Sequence, residues 1–90
     1  MALEQTTTLL EFPCRFPIKA MGRNEDDFEQ LVTSIVLTHA VLWPDEPIRV
    51  APSKEGTFIS VTTVIEATSQ QQLDSIYLEL SASSQVLMAL

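Results

Sequence analysis

The hydrophobic positions of the chain follow two different periods. Residues 16–22, 48–51, 57–67 and 86–90 are predicted to be strands with one buried face, in which every second side chain points the same way. Apolar side chains recur at three- and four-residue steps from about residue 24 to residue 41 or 42, and again beyond residue 68 or 69. These steps predict two amphipathic helices. The predicted order is therefore strand, helix, strand, strand, helix, strand.

This order predicts an α+β fold, the ferredoxin-like βαββαβ sandwich. Right-handed crossovers place both helices on one face of a four-stranded antiparallel sheet, with the first and third strands in the centre. We expect residues 1–11 to form an N-terminal tail and residues 12–90 to form a single domain, which suits a chain of 90 residues. Because Pro17 donates no ladder hydrogen bond, pairing of the first strand is expected to start near Ile18.

Polar residues before the first helix predict how it begins. Asn24 is a favoured N-cap residue, and Asp27 stands three residues further on, at the capping-box position. Glu25, Asp26 and Glu29 place negative charge near the helix N-terminus, where the helix dipole favours it. We therefore expect Asn24 to cap this helix, and Thr68 or Ser69 to cap the second one.

The alternation in the strands leaves one face of the predicted sheet without a covering layer. A mixture of basic, polar and apolar side chains is expected there: Lys19, Met21, Arg49, Ala51, Phe58, Ser60, Thr62, Val64, Leu87 and Ala89. An ordinary half-solvated antiparallel face and a binding surface both fit this mixture. For the second interpretation, the candidate partner-binding residues are Lys19, Met21, Phe58, Val64 and Leu87.

Charge and apolar runs exclude several function classes. Twelve acidic and five basic residues give a net charge of −7, which opposes binding to nucleic acids and to anionic membranes. The longest unbroken apolar run spans five residues, 86–90, against the ~20 that a membrane helix needs. A start without a basic leader and one unpaired cysteine, Cys14, predict a cytoplasmic protein that binds neither nucleic acid nor membrane.

Candidate catalytic chemistry is sparse. Cys14 and His39 could form a nucleophile and base, but no third orienting group accompanies them. The acidic run at residues 25–27 lacks the spacing of a calcium loop. RNA-binding modules share the predicted order of elements, but Phe58 is the only outward aromatic residue of the central strands. Acylphosphatases share this order of elements too. Their chemistry needs an arginine after the first strand, which Arg23 could supply, and an asparagine on another strand that positions water. Asn24 follows the same first strand and is better explained as a helix cap. We expect no catalytic residue, metal or cofactor.

Short segments spread over nearly the whole chain form an ordered set. They include Leu10-Glu11-Phe12-Pro13, Met21-Gly22, His39-Ala40, Pro52-Ser53, Ser60-Val61, Ala67-Thr68 and Met88-Ala89-Leu90. This set resembles the YbeD-like family of small bacterial proteins, with Phe58 standing where a tyrosine is expected. The resemblance implies a ferredoxin-like fold similar to ACT-type regulatory domains, in a cytoplasmic bacterial protein, and implies no established activity.

Two functions follow as expectations. The first is a non-enzymatic regulatory or adaptor domain that binds a protein partner, or itself, through the sheet face or an edge strand. The alternative is an ACT-like domain that senses an amino acid or another metabolite. By analogy of fold, its ligand would bind at the first strand–helix turn, at Gly22, Arg23 and Asn24.

Overall fold

Four antiparallel strands and two helices make up the fold in a computed structural model that describes residues 10–25 and 27–90. The elements are β1 (Cys14–Arg23), α1 (Phe28–His39), β2 (Arg49–Pro52), β3 (Phe58–Ala67), α2 (Gln70–Ala82) and β4 (Val86–Ala89). The sheet order is β2-β3-β1-β4, so β1 and β3 are central. The predicted ferredoxin-like fold is confirmed. Most of the predicted tail, residues 1–9, lies outside the described residues.

Both helices pack their apolar stripes against the same face of the sheet. The buried side chains form one cluster: Ile18, Ala20, Phe28, Val32, Ile35, Val36, Val61, Ile65, Ala67, Leu73, Ile76 and Leu80. Each large aliphatic or aromatic side chain in it stabilises the fold by about 1.5–3 kcal/mol relative to an exposed one. Since β1 and β3 contribute alternate residues to this cluster, their other residues lie on the opposite face. We call that opposite face the outer face.

β1 begins four residues earlier than the expected start of pairing, at Cys14, and includes Pro17. The main-chain amide of Lys19 donates to the Leu90 carbonyl, on the β4 side of β1. The nitrogen of Pro17, two residues earlier, points to the same side of the strand. β4 pairs with β1 only over Ala20 to Gly22, so the nitrogen of Pro17 points to a part of the β1 edge that β4 does not pair with. Pro17 removes no ladder hydrogen bond there, which is why a central strand tolerates it.

The expected N-cap of the first helix is wrong. α1 begins at Phe28, and Asp27 occupies the cap position without a side-chain capping hydrogen bond. Asn24 instead donates its side-chain amide to the Gly56 carbonyl at 3.0 Å, and its main-chain amide donates to Thr57 at 2.9 Å. The turn after β1 is thus held to the β2–β3 hairpin. Because the Asn24 amides bond to the hairpin, they do not cap the helix.

The second helix begins as predicted. Ser69 caps α2, and its hydroxyl accepts a hydrogen bond from the Gln72 amide at 3.0 Å. The Gln72 side chain accepts from the Thr68 amide at 2.8 Å and donates to the His39 carbonyl at 2.9 Å. One glutamine therefore joins the start of α2 to the end of α1.

Replacing this cap tests its contribution. We expect Ser69→Ala to lower the free energy of unfolding by about 1 kcal/mol, because one amide of the first turn loses its acceptor. Urea denaturation followed by circular dichroism measures the change. Thr68→Ala is the matched control, since only the Thr68 main-chain amide takes part in this network. Equal losses in both variants would contradict the capping role of Ser69.

Candidate functional site

The outer face is organised in rows that cross the strands. One row joins Ala51, Ser60, Met21 and Met88, and the next joins Arg49, Thr62, Lys19 and Leu90. At one end of the face Arg23 stands opposite Phe58 in the β1–β3 ladder. Both helices pack on the other side of the sheet, so no element of the described chain covers these two rows.

Large apolar side chains are exposed in these two rows and in the adjacent row that holds Arg23 and Phe58. Phe58 is 41% exposed and Met88 is 52% exposed, and Met21 lies half-buried between them. A shallow hollow of about 170 Å³ borders Met21 and Phe58 and reaches Pro52 at the end of β2. Leu90 continues the exposed apolar surface on the β4 side. This grouping of apolar side chains is more than scattered surface residues would give.

One of the predicted partner-binding residues is not exposed. Val64 lies on the outer face opposite Pro17, but it is only 5% exposed. The chain after α1 runs along the same edge of β3 as β2 does: the Trp43 amide donates to the Val64 carbonyl at 2.8 Å, and Glu66 donates to Val41 at 3.0 Å. Val64 is thus enclosed between β1 and residues 41–43, and its expected place in a binding surface is wrong.

The face assignment of the last strand also needs correction. Val86 pairs with Gly22, but Met88 pairs with the neighbouring Met21, so β4 has one extra residue, Leu87, at a bulge. Ala89 then pairs with Ala20 and packs against the core, rather than lying on the outer face. Met88 takes the outward position beside Met21, with Leu90 beyond it. Leu87 remains exposed, at the bulge on the rim of the face.

Basic residues are concentrated on this face. The chain has five in all, and four of them lie at outward positions: Arg15, Lys19, Arg23 and Arg49. Arg15 is paired with Glu46, at 3.0 Å between the guanidinium and the carboxylate, at the far end of β1. The Arg23 guanidinium lies over the Phe58 ring, 6.0 Å from its centroid, within range of a cation–π contact. The net charge of −7 therefore does not describe the charge of the outer face.

The helix layer has the opposite character. Neither α1 nor α2 contains a lysine or arginine, while Glu29, Asp74 and Glu79 lie along them. His39 at the end of α1 is 2.7 Å from the Glu79 carboxylate, a contact that ties the two helices together. Apart from Glu66, which lies opposite Arg15 at the far end of β3, the sheet face is basic and apolar, and the helix layer on the other side is acidic.

In the turn predicted as an alternative ligand site, other residues of the protein already contact Gly22, Arg23 and Asn24. Gly22 is buried, and a Cβ built on it would overlap the Gln85 carbonyl oxygen and the Phe28 ring. Arg23 stacks on Phe58, and Asn24 is hydrogen bonded to the hairpin. The three residues lie together as expected, but they serve packing contacts. Ligand binding there stays a prediction.

The candidate nucleophile and base are placed on separate elements. Cys14 is half-buried at the start of β1, where it pairs with Ala67, and His39 contacts Glu79. In the described part of the chain, no three His, Cys, Asp or Glu side chains come together as a metal site would require. Burial raises the pKa of the Tyr77 hydroxyl above its ordinary value of 10.0. Tyr77 lies on α2, on the side of the sheet opposite the outer face.

Sequence reasoning missed Met88 and Leu90 as outer-face residues. Strict alternation from Val86 gives the wrong parity for every residue after a bulge, and no glycine or proline marks the bulge in Val86-Leu87-Met88. All five residues from 86 to 90 are apolar, so the pattern of apolar and polar positions carried no signal of the bulge either.

The fold and the exposed sheet face define a class: a small α+β protein of βαββαβ order with one uncovered sheet surface. The family model "Protein of unknown function (DUF493)" matches residues 7–90 of this chain. The chain belongs to this family of small bacterial proteins, and its predicted resemblance to YbeD-like proteins is confirmed.

Curated relatives match along nearly their whole length. A UPF0250 protein of Nitrosomonas europaea is 45% identical over 83 residues, which cover 92% of this chain and 95% of that protein. A UPF0250 protein of Chromobacterium violaceum is 40% identical over 87 residues, covering 97% and 98% respectively. The names of these relatives carry no activity.

A solved structure shares the fold. The solution structure of protein HP0495 from H. pylori superposes with a TM-score of 0.66 and 17% sequence identity, covering 90% of this chain and 85% of that one. At this identity the likeness concerns the fold alone. Within the described residues, neither helix is long and apolar enough to cross a bilayer.

Proposed function

We propose that this protein is a non-enzymatic adaptor or regulatory domain that binds a protein partner through its outer face. The observation that carries the proposal is the uncovered grouping of Phe58, Met21, Met88 and Leu90 on three adjacent rows of the sheet. Protein interfaces favour this composition, in which aromatic, methionine and arginine side chains are enriched.

The placement of the candidate catalytic side chains supports a binding role over a catalytic one. His39 contacts Glu79 between the helices, Cys14 packs at the edge of the core, and Asn24 supports the hairpin. These groups serve structural contacts, whereas Phe58, Met88 and Leu90 stay exposed on the outer face. Rigid strands hold these side chains in place, which lowers the entropy lost on binding.

Site-directed photo-crosslinking tests the proposal. A benzoylphenylalanine placed at Met88 should form adducts with another protein in cells of the native host. The same group at Leu78, which is 72% exposed on α2, is the matched control and should form none of these adducts. Adding Phe58→Glu to the Met88 probe should remove the adduct, with the fold checked by circular dichroism.

Three outcomes would contradict this function. The first is the absence of any adduct at Met88. The second is the same set of adducts at Met88 and Leu78, which would indicate nonspecific contact. The third is an adduct of two copies of the 10.0 kDa chain only, which would assign the face to self-association.

A further inference from the structure

From the charge pattern of the outer face we infer the chemistry of its partner: a protein segment that carries acidic side chains beside apolar ones. This inference rests on the proposed function. Lys19, Arg23 and Arg49 surround the apolar side chains, and among the described residues none of the three lies within ion-pair distance of a carboxylate. Arg15 differs from them because Glu46 already compensates its charge.

Spacing along the sheet favours an extended partner. Lys19 and Arg49 lie in one row with Thr62 between them, and the exposed Met88 and half-buried Met21 lie in the adjacent row. Rows that follow one another along the strands are about 6.7 Å apart, which is the spacing of every second side chain of an extended peptide, so one face of such a peptide can meet charged and apolar rows in turn. Methionine side chains adapt their shape to different apolar groups, which suits such contacts.

The same charges argue against a symmetric dimer through this face. A two-fold interface places each surface against its own copy, so Lys19, Arg23 and Arg49 would face a second set of basic residues. Like charges at an interface are unfavourable, especially once water is excluded. A copy could instead bring its acidic helix layer, but that head-to-tail contact leaves another free face and gives open assemblies.

A single-stranded nucleic acid is the other class of polymer that a basic sheet face could attract. Nucleic-acid modules with this order of elements stack bases on several aromatic side chains. Within the four strands Phe58 is the only aromatic residue at an outward position, and Arg23 lies over its ring. Met21 and Met88 occupy the neighbouring positions. These side chains offer apolar contacts to a protein rather than a stacking platform.

Titration of the ¹⁵N-labelled full chain with defined peptides tests the inference. The probe is an extended eight-residue peptide with glutamate and leucine in turn at every second position and serine between them, so that both can face the sheet, and its controls replace glutamate by glutamine or by lysine. We expect the glutamate peptide to bind about 10-fold tighter than the glutamine peptide at low salt, and to weaken several-fold near 0.3 M salt. Shifts of amide resonances should be confined to the outer face.

Variants separate the face from general charge attraction. The triple variant Lys19→Gln, Arg23→Gln, Arg49→Gln should lose the preference for glutamate over glutamine. Lys54→Gln removes the one basic residue that lies outside the face, in the β2–β3 hairpin, and should keep the preference. A similar loss from Lys54→Gln would overturn the inference.

Each remaining outcome also decides the question. Equal affinity for the glutamate and glutamine peptides overturns the inference, as does no binding of any peptide. Tighter binding of a twelve-nucleotide oligothymidylate, or head-to-tail association seen by sedimentation, overturns it as well. The photo-crosslinking at Met88 is independent of these titrations, so an adduct there would preserve the proposed function while the acidic partner is rejected.

Discussion

Replacing Gly22 by valine is expected to lower the free energy of unfolding by about 3 kcal/mol. The reason is space rather than backbone conformation. A Cβ at this position would overlap the Gln85 carbonyl oxygen and the ring of Phe28, whose Cζ would lie 2.8 Å away. The main-chain oxygen of Gln85 cannot rotate aside as a flexible side chain would. A domain of 90 residues has roughly 5–13 kcal/mol of stability in total, so the loss is a large share.

Chemical denaturation of Gly22→Val measures this loss, and Gly56→Ala is the matched control. Gly56 has a φ of 80° but has nothing within 4 Å of a built Cβ. Alanine there should cost about 1 kcal/mol, from the left-handed backbone alone. Equal stability of wild type and Gly22→Val would show that the turn after β1 can open. Such an opening would favour the alternative ligand site at Gly22, Arg23 and Asn24.

Placing a carboxylate at Val64 should have a comparable or larger effect. Val64 is almost fully buried between β1 and residues 41–43, and an unpaired buried charge costs about 3–5 kcal/mol. Thermal and urea denaturation of Val64→Glu should therefore show a strongly destabilised domain at pH 7. Phe58→Glu is the control on the same strand and face, and it should remain close to wild type because its side chain stays partly in water.

The pH dependence of Val64→Glu gives a second measurement. Burial raises the pKa of a carboxyl group above the value of ~4.3 that it has in the unfolded chain. In the folded state the proton is therefore held to higher pH. The destabilisation from ionisation is absent below ~pH 4 and grows as the pH rises above it. A loss of stability that does not change between pH 4 and pH 7 would contradict burial of this side chain.

Most of the fold follows from local patterns in the sequence. The strand and helix periods predicted all six elements, and the Ser69 cap was among the two candidates for the start of α2. The start of α1 was not predictable in this way. Asn24 has the chemistry of a cap, but the carbonyl of Gly56, 32 residues away in sequence, accepts its amide proton instead. A tertiary contact of this kind has no local signature.

The candidate site was predicted in part. Lys19, Met21 and Phe58 lie on the outer face as expected, because β1 and β3 pair without interruption over ten residues. The expected exposure of Val64 was wrong because residues 41–43 extend the sheet edge beside it. Pro44 and Pro47 in the sequence favour an irregular connection there rather than a strand-like one. Met88 and Leu90 were missed because a bulge changes the parity of β4. Packing of chain segments that are distant in sequence decides each of these cases.

The bulge at Leu87 also bears on solubility. β4 is an edge strand of the sheet, and Leu87, Met88 and the following Leu90 are exposed there. An exposed apolar edge strand normally tends to pair with a strand of another molecule. A bulge interrupts the even spacing of amide and carbonyl groups and increases the local twist, so a straight incoming strand cannot pair along the full edge. The bulge at Leu87 thus protects the β4 edge against edge-to-edge aggregation.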